Sequence, residues 1–435
     1  MAIISRVYDP FPIPDHQGLL PTHPLDWNGI ARKLVREVLQ VQRHERVIIS
    51  ADPYFGGAAL DALRCEIQRV RAIELATIMH WTPSLAALRL PNGRYADSED
   101  DAAETQAMRE LFAVADVFVL LMNDRRGRRT LATSQSDQVV EGWKKGRSAH
   151  LHWFHDPAIP DPAHPVNLAL DRMNQRALLE LDHDRLRQSM LAITAALRGR
   201  ELRLTDSAGT DLRFRAGNHF HQNFGDASRE RMRTMLSGRD REEEIPAGSL
   251  RTIPEQDSVE GVLVFPSTRD GESPALGRGM DCAPFSRHGL RFVFRAGHVV
   301  EIRVDNSANG NQSGSQSGSQ SGNESGNQSG NQNGNQQRLD ELWALETGAK
   351  DRLGELVLGC NPLLTPVAGS SFHPHYGFGA GVVRLILGDN MLSGGSNRSS
   401  FHRWLMWGDA TLTAGGQPVI QDGKLIDLVA SVASS

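Results

Sequence analysis

The chain has 435 residues, with 47 basic and 52 acidic side chains and a formal charge of −5. So mild a balance argues against a chain built to coat nucleic acid, and no apolar run approaches the roughly 18 residues of a membrane span. The opening segment lacks the basic-then-apolar pattern of a secretory leader. Cys65, Cys282 and Cys360 are too few and too scattered for a disulfide framework or a zinc knuckle. At about 150 residues per domain, these bounds predict a soluble, cytoplasmic protein of two or three domains.

In chain order, Ile30, Leu34, Val35, Val38 and Leu39 recur at helical spacing, and Val47-Ile48-Ile49-Ser50 follows as a short apolar strand. Leu60, Leu63 and Ile67 mark a second helix and residues 72–78 a second strand. A helix near residues 105–115 leads into the fully apolar Val117-Phe118-Val119-Leu120-Leu121, and residues 150–154 read as a further strand. Continuous apolar strands separated by helices predict a parallel sheet covered on both faces, hence a doubly wound α/β domain over residues 1–195. No glycine-rich phosphate loop follows any of these strands. The basic run at 124–129 reads as a solvated loop, because it has no interleaved aromatic residues to stack on bases.

After a helical stretch from Leu178 to Leu197 the pattern changes. Residues 201–206 and 211–215 alternate around an Asp-Ser-Ala-Gly turn and predict a β-hairpin. Apolar runs at 261–265, 290–294 and 299–304 continue the strand pattern, so residues 196–435 form a strand-rich α+β domain. Residues 307–337 are almost purely Ser, Gly, Asn and Gln. Such a segment has no apolar surface to bury and is expected to be a disordered insertion, tolerable because loop-closure cost grows slowly with length.

Three segments of the second region carry more specific information. They are Ile245-Pro246-Ala247-Gly248-Ser249, then Leu353-Gly354-Glu355-Leu356-Val357-Leu358-Gly359-Cys360-Asn361, then residues 384–390 with Gly394-Gly395-Ser396-Asn397 and Ser400-Phe401-His402-Arg403-Trp404. In this order they resemble the metallo-aminopeptidases of the aminopeptidase T family and its ring-cleaving branch, the non-haem iron dihydroxypyridine dioxygenases. The resemblance implies an aminopeptidase T-like fold, an active cleft between the two domains, a small-molecule substrate and a homodimer, with no nucleic-acid or membrane partner.

It also implies a set of metal ligands, and here the residues diverge. Glu355 matches one family ligand and His402 the histidine of a final His-x-Asp pair. Ser249, Arg384, Met391 and Trp404 stand where the family has its other ligands. A two-metal hydrolase needs several carboxylates around its dications, so two-metal peptide hydrolysis is disfavoured. A facial triad needs two histidines and a carboxylate. Glu355 and His402 would need a third ligand, and His373 and His375 in Phe372-His373-Pro374-His375 are the nearest source. Alternatively, Arg384 fills the space of the lost cation and pairs bidentately with Glu355, leaving a pocket suited to an anion.

The cofactor expectation is therefore one divalent metal, iron or zinc, or none. Glu355, His402 and Arg384 are the candidate catalytic residues, and Glu355, His402, His373 and His375 the candidate metal ligands. The expected function is that of a diverged aminopeptidase T-like enzyme acting on a small amino-acid-like or heteroaromatic molecule. The alternatives are a single-iron ring-cleaving dioxygenase and a non-catalytic relative that binds a small molecule or a partner. His150, His152, His155, His219 and His221 read as structural residues, the first three lining the cleft or a sheet surface.

Overall fold

The computed structural model describes residues 25–51, 55, 57–79, 100–122, 146–156, 159, 161–235, 239–265, 289–305, 336–337, 339–341, 343–370 and 377–429, except the side chains of a few residues within these ranges. Among these residues no helix is long and apolar enough to cross a membrane.

The architecture is mixed α/β. Five parallel strands form the first sheet: β1 (Arg46–Ala51), β2 (Ile73–Met79), β3 (Val117–Met122), β4 (Arg147–His152) and β7 (Glu242–Ile245). Their order is β2-β1-β3-β4-β7. The apolar runs are continuous because both faces are covered. On one face Val47, Ile49 and Val119 pack with Ile30 and Leu34, and with Leu60 and Leu63 of α2 (Ala58–Arg69). Ile30 belongs to α1 (Trp27–Arg32), which runs on into a π-helical turn carrying Leu34. On the other face Ile48, Phe118 and Leu120 pack with Phe112 of α3 (Asp100–Ala113) and Leu170 of α4 (Pro165–Leu179).

Two details differ from the sequence pattern. The stretch from Leu178 to Leu197 is the end of α4 followed by a separate α5 (His183–Leu197). The break comes at Asp182, whose carboxylate accepts the Arg185 N–H at 2.9 Å and so starts a new helix. The fourth strand ends at His152 rather than at 154; beyond it the Trp153 indole donates to the buried Asp171 at 2.7 Å.

Among the described residues the second sheet has twelve strands. The first members are β5 (Glu201–Thr205) and β6 (Asp211–Gln222), the hairpin expected from the alternation. Next come β8 (Ser249–Pro254), β9 (Glu260–Phe265), β10 (Gly289–Arg295) and β11 (His298–Asp305). The last are β12 (Leu353–Gly359), β13 (Val383–Gly388), β14 (His402–Trp407), β15 (Thr411–Ala414), β16 (Gln417–Gln421) and β17 (Lys424–Leu425). The main path is β14-β13-β12-β8-β6-β5-β15-β16-β17, and β9 joins it at β6. The chain crosses between the sheets at residues 246–248, so β7, in the second half of the sequence, completes the first sheet by pairing with β4.

The residues that carried the resemblance hold this second sheet together. Gly248 has φ +148°, and a Cβ there would meet the Asn361 Cβ at 2.5 Å. Asn361 is fully buried and donates to the Ala247 carbonyl at 2.6 Å. Asn390 donates to the Gly354 carbonyl at 3.0 Å and accepts the Asn397 N–H at 2.8 Å. The three segments are thus laced to one another through backbone groups. Most of the polar insertion, residues 306–335, lies outside the described residues. Residues 336 and 337 are helical, and the Gln336 side chain binds β11 through the Val304 N–H and the Ile302 carbonyl, at 3.0 and 3.1 Å.

Candidate functional site

The strands β6, β8, β12, β13 and β14 are neighbours, and their registers align the residues singled out from sequence. His221, Arg251, Val357, Arg384 and Met406 form one row across the five strands. Glu355, Ile386 and Trp404 form the next row on β12, β13 and β14. Because side chains alternate with period two, these residues share one face, together with His402. The apolar members of that face, Val357, Ile386 and Trp404, pack in the same cluster as Phe118 and Leu120 of β3 and Phe154, just beyond β4. The face therefore looks toward the first sheet.

The structure brings Glu355 and Arg384 onto this face, buried at 2% and 1% exposure. It does not pair them. Glu355 lies opposite Ile386, one row from Arg384, and its Oε2 is buried without a hydrogen-bond partner. The Arg384 guanidinium instead lies over two aromatic rings, 4.5 Å from the Trp404 centroid and 5.3 Å from that of Phe378. The bidentate pair expected from sequence is replaced by cation–π contacts, which gain strength where water is excluded. Trp404, at the position of a family aspartate, is one of the two rings.

His402 is exposed at the end of β14. Its Nε2 accepts the Trp404 indole N–H at 2.7 Å, which leaves Nδ1 to donate to the Asp389 carbonyl at 3.0 Å. Both ring nitrogens are thereby committed. His373 and His375 lie outside the described residues. Among the described residues no three His, Cys, Asp or Glu side chains gather as a metal site would require. With a guanidinium at one family position and a histidine lone pair already occupied at another, the described donors do not fit the family metal.

The same space holds ionisable groups that the sequence reading passed over as structural. Ser148, His150 and His152 share a face of β4 with Phe118, Leu120 and Met122, and Glu242 and Glu244 flank them on β7. His150 Nδ1 lies 2.9 Å from Glu242 Oε1, and His152 Nε2 lies 4.0 Å from Glu244 Oε1. The Nε2 of His150 is buried and has no hydrogen-bond partner. From the second sheet, His219 Nε2 lies 3.0 Å from Asp240, and Arg251 reaches Asp240 at 3.4 Å and Ser393 at 3.3 Å.

These contacts shift the pKa values of the groups that make them. The bond to Asp240 raises the His219 pKa, with Glu355 adding to the effect. Burial alone would raise the pKa of Asp240, but His219, His221 and Arg251 hold it well below the carboxylate range. Burial and the Arg251 charge push His221 well below its ordinary value. One sequence signal marked this half of the site: Glu242-Glu243-Glu244 runs directly into the first motif. Three glutamates in a buried strand are unfavourable unless each finds a partner.

No protein-family model matches the chain, and no curated protein is similar to it. Solved structures are. The chain resembles wild-type AmpT, aminopeptidase T, from Thermus thermophilus, with a TM-score of 0.55 at 15% identity over 92% of this chain and 98% of that one. The fold is that of aminopeptidase T. A second structure, 2,5-dihydroxypyridine dioxygenase from Pseudomonas putida KT2440, is similar with a TM-score of 0.53 at 14% identity over 92% of this chain and 96% of that one. The match spans 92% of this chain, and so includes the more loosely patterned stretch that holds most of the first sheet.

Proposed function

We propose that the protein is a diverged enzyme of the aminopeptidase T fold that acts on a small amino-acid-like or heteroaromatic anion. The observation that carries this reading is the Arg384 guanidinium, held between Trp404 and Phe378 on the face between the two sheets. A fixed guanidinium recognises a carboxylate through its planar fork, and adjacent aromatic rings suit a flat substrate. Trp404 is only partly buried and His402 is exposed, so this shelf opens toward solvent at one edge.

The chemistry follows from the histidine–carboxylate pairs. A histidine oriented by a carboxylate through Nδ1 presents its second nitrogen as a general base. His150 is so arranged with Glu242, and its Nε2 is buried without a partner. Its role is to take a proton from the bound molecule, with the charge that develops stabilised by Glu242. His219 and Asp240 form a second pair, in which the carboxylate raises the His219 pKa and so favours a donor role. Two-metal peptide hydrolysis is not part of this reading, because Ser249, Arg384, Met391 and Trp404 remove its donors.

The test combines binding, turnover and metal content. Aromatic and amino-acid carboxylates are titrated calorimetrically into the purified protein. Arg384→Met should weaken binding by about tenfold or more. His150→Gln should keep binding and lose turnover; intact turnover in that variant would leave the dyad without a role. Activity that vanishes on chelation and returns with added iron or zinc would overturn the metal-independent reading. Carboxylate binding without turnover of any bound compound would favour a non-catalytic relative.

A further inference from the structure

A second built site lies at the opposite end of the first sheet and is independent of the cleft reading. The strands β3, β4 and β7 are parallel neighbours, so the residues that open them, Asp116, Arg147 and Arg241, come together at one edge. There they line a cavity of about 380 Å³, with Arg229 and Arg233 reaching in from the short helical segment that precedes β7. Among the described residues, four arginines face one aspartate.

Part of this charge is neutralised within the fold. Arg147 makes a buried fork to Glu45, at 2.9 and 2.7 Å, and Arg229 bonds to the same carboxylate. Asp116 is held by Arg46 at 3.1 Å. Arg233 and Arg241 have no ion pair among the described residues, and the Nε of Arg241 is buried without a hydrogen-bond partner. Burial without a counter-charge accordingly lowers the Arg241 pKa. Continuing the register of β4 and β7 by one residue sets Arg241 beside Arg147, and like charges side by side on neighbouring strands are destabilising unless something offsets them.

The geometry points to an anion site here, for a phosphorylated small molecule whose phosphate oxygens bridge Arg241 and Arg233 beside Arg147. The guanidinium fork matches phosphate geometry, and the cavity is within the size range of small-ligand sites. Met232 and Met235 on its wall offer apolar contact to the remainder of such a molecule.

Inorganic pyrophosphate and ATP are the probes, titrated into the intact protein at physiological ionic strength, with citrate as the carboxylate control. Saturable one-to-one binding of pyrophosphate is expected. Arg241→Gln and Arg233→Ala should each weaken it by about ten- to a hundredfold, whereas Arg384→Met in the distant cleft should leave it unchanged. Without ligand, Arg241→Gln should melt no lower than the parent, because it removes an uncompensated charge. A lowered melting temperature in that variant would mean that Arg241 serves the fold and not a ligand. Absence of saturable binding, or binding indifferent to both substitutions, would overturn the site. Citrate binding as tightly as pyrophosphate would overturn the phosphate assignment.

Discussion

Glu243 offers the sharpest test of how burial and pairing compete in this protein. It alternates with Glu242 and Glu244 along β7 and is 0% exposed. The Gly225 N–H donates to it at 3.0 Å and Arg231 forms its ion pair. Burial nonetheless outweighs the pairing and pushes its pKa from 4.5 to about 7. The folded protein then holds this proton more tightly than the unfolded chain does. The stabilisation is fully present below pH 4.5 and is lost as the pH rises through about 7. At about 1.4 kcal/mol per unit, the shift corresponds to about 3 kcal/mol.

Glu243→Gln removes the titration while keeping the shape and an acceptor for Gly225. Denaturant unfolding of both proteins across this pH range gives the contribution by difference. The parent should lose about 3 kcal/mol relative to the variant on going from acid to mildly alkaline pH. His221, whose Nε2 lies 3.9 Å from Glu243 and whose pKa burial and the Arg251 charge push well below its ordinary value, is common to both proteins, so its opposing slope largely cancels. A flat difference would show that Arg231 keeps Glu243 ionised throughout and that the burial reasoning is wrong.

The remaining expectations concern stability and assembly. Arg147→Met should cost up to about 3–5 kcal/mol, because buried Glu45 would keep only the half-exposed Arg229 as its charged partner. The double change Arg147→Met, Glu45→Leu should cost less than the sum of the single ones, and additive losses in a denaturation cycle would contradict the pairing. Replacing residues 307–335 with a short Gly-Ser loop should leave the melting temperature unchanged. Extending the deletion to Gln336 should lower it, because two bonds to β11 are lost; equal melting of the two deletions would remove that distinction. The homodimer that the family resemblance implies would appear in sedimentation at micromolar concentration as twice the chain mass of 47.8 kDa, and a persistent monomer refutes it.

What the sequence made legible depended on which physical constraint each residue obeys. The apolar periodicities of β1, β3, α1 and α2 reflect burial, which is local and strong, and those elements lie where the pattern placed them. The motif residues Gly248, Asn361 and Asn390 answer to backbone geometry, and so they reveal the fold. Partners across the sheet were not legible in the same way. Arg384 meets Trp404 and Phe378 rather than Glu355 because strand register, which no local pattern encodes, sets Ile386 opposite Glu355. The pairing of His150 with Glu242 joins residues from different halves of the chain, and it depends on β7 returning to the first sheet.

That returning strand ties the two halves together mechanically. A fragment ending at residue 195 would lack β7 and leave the whole edge of β4 unpaired, an open template for association with other chains. A fragment starting there would carry Glu242, Glu243 and Glu244 without their histidine and sheet partners. The halves are thus spliced like two boards sharing one tongue.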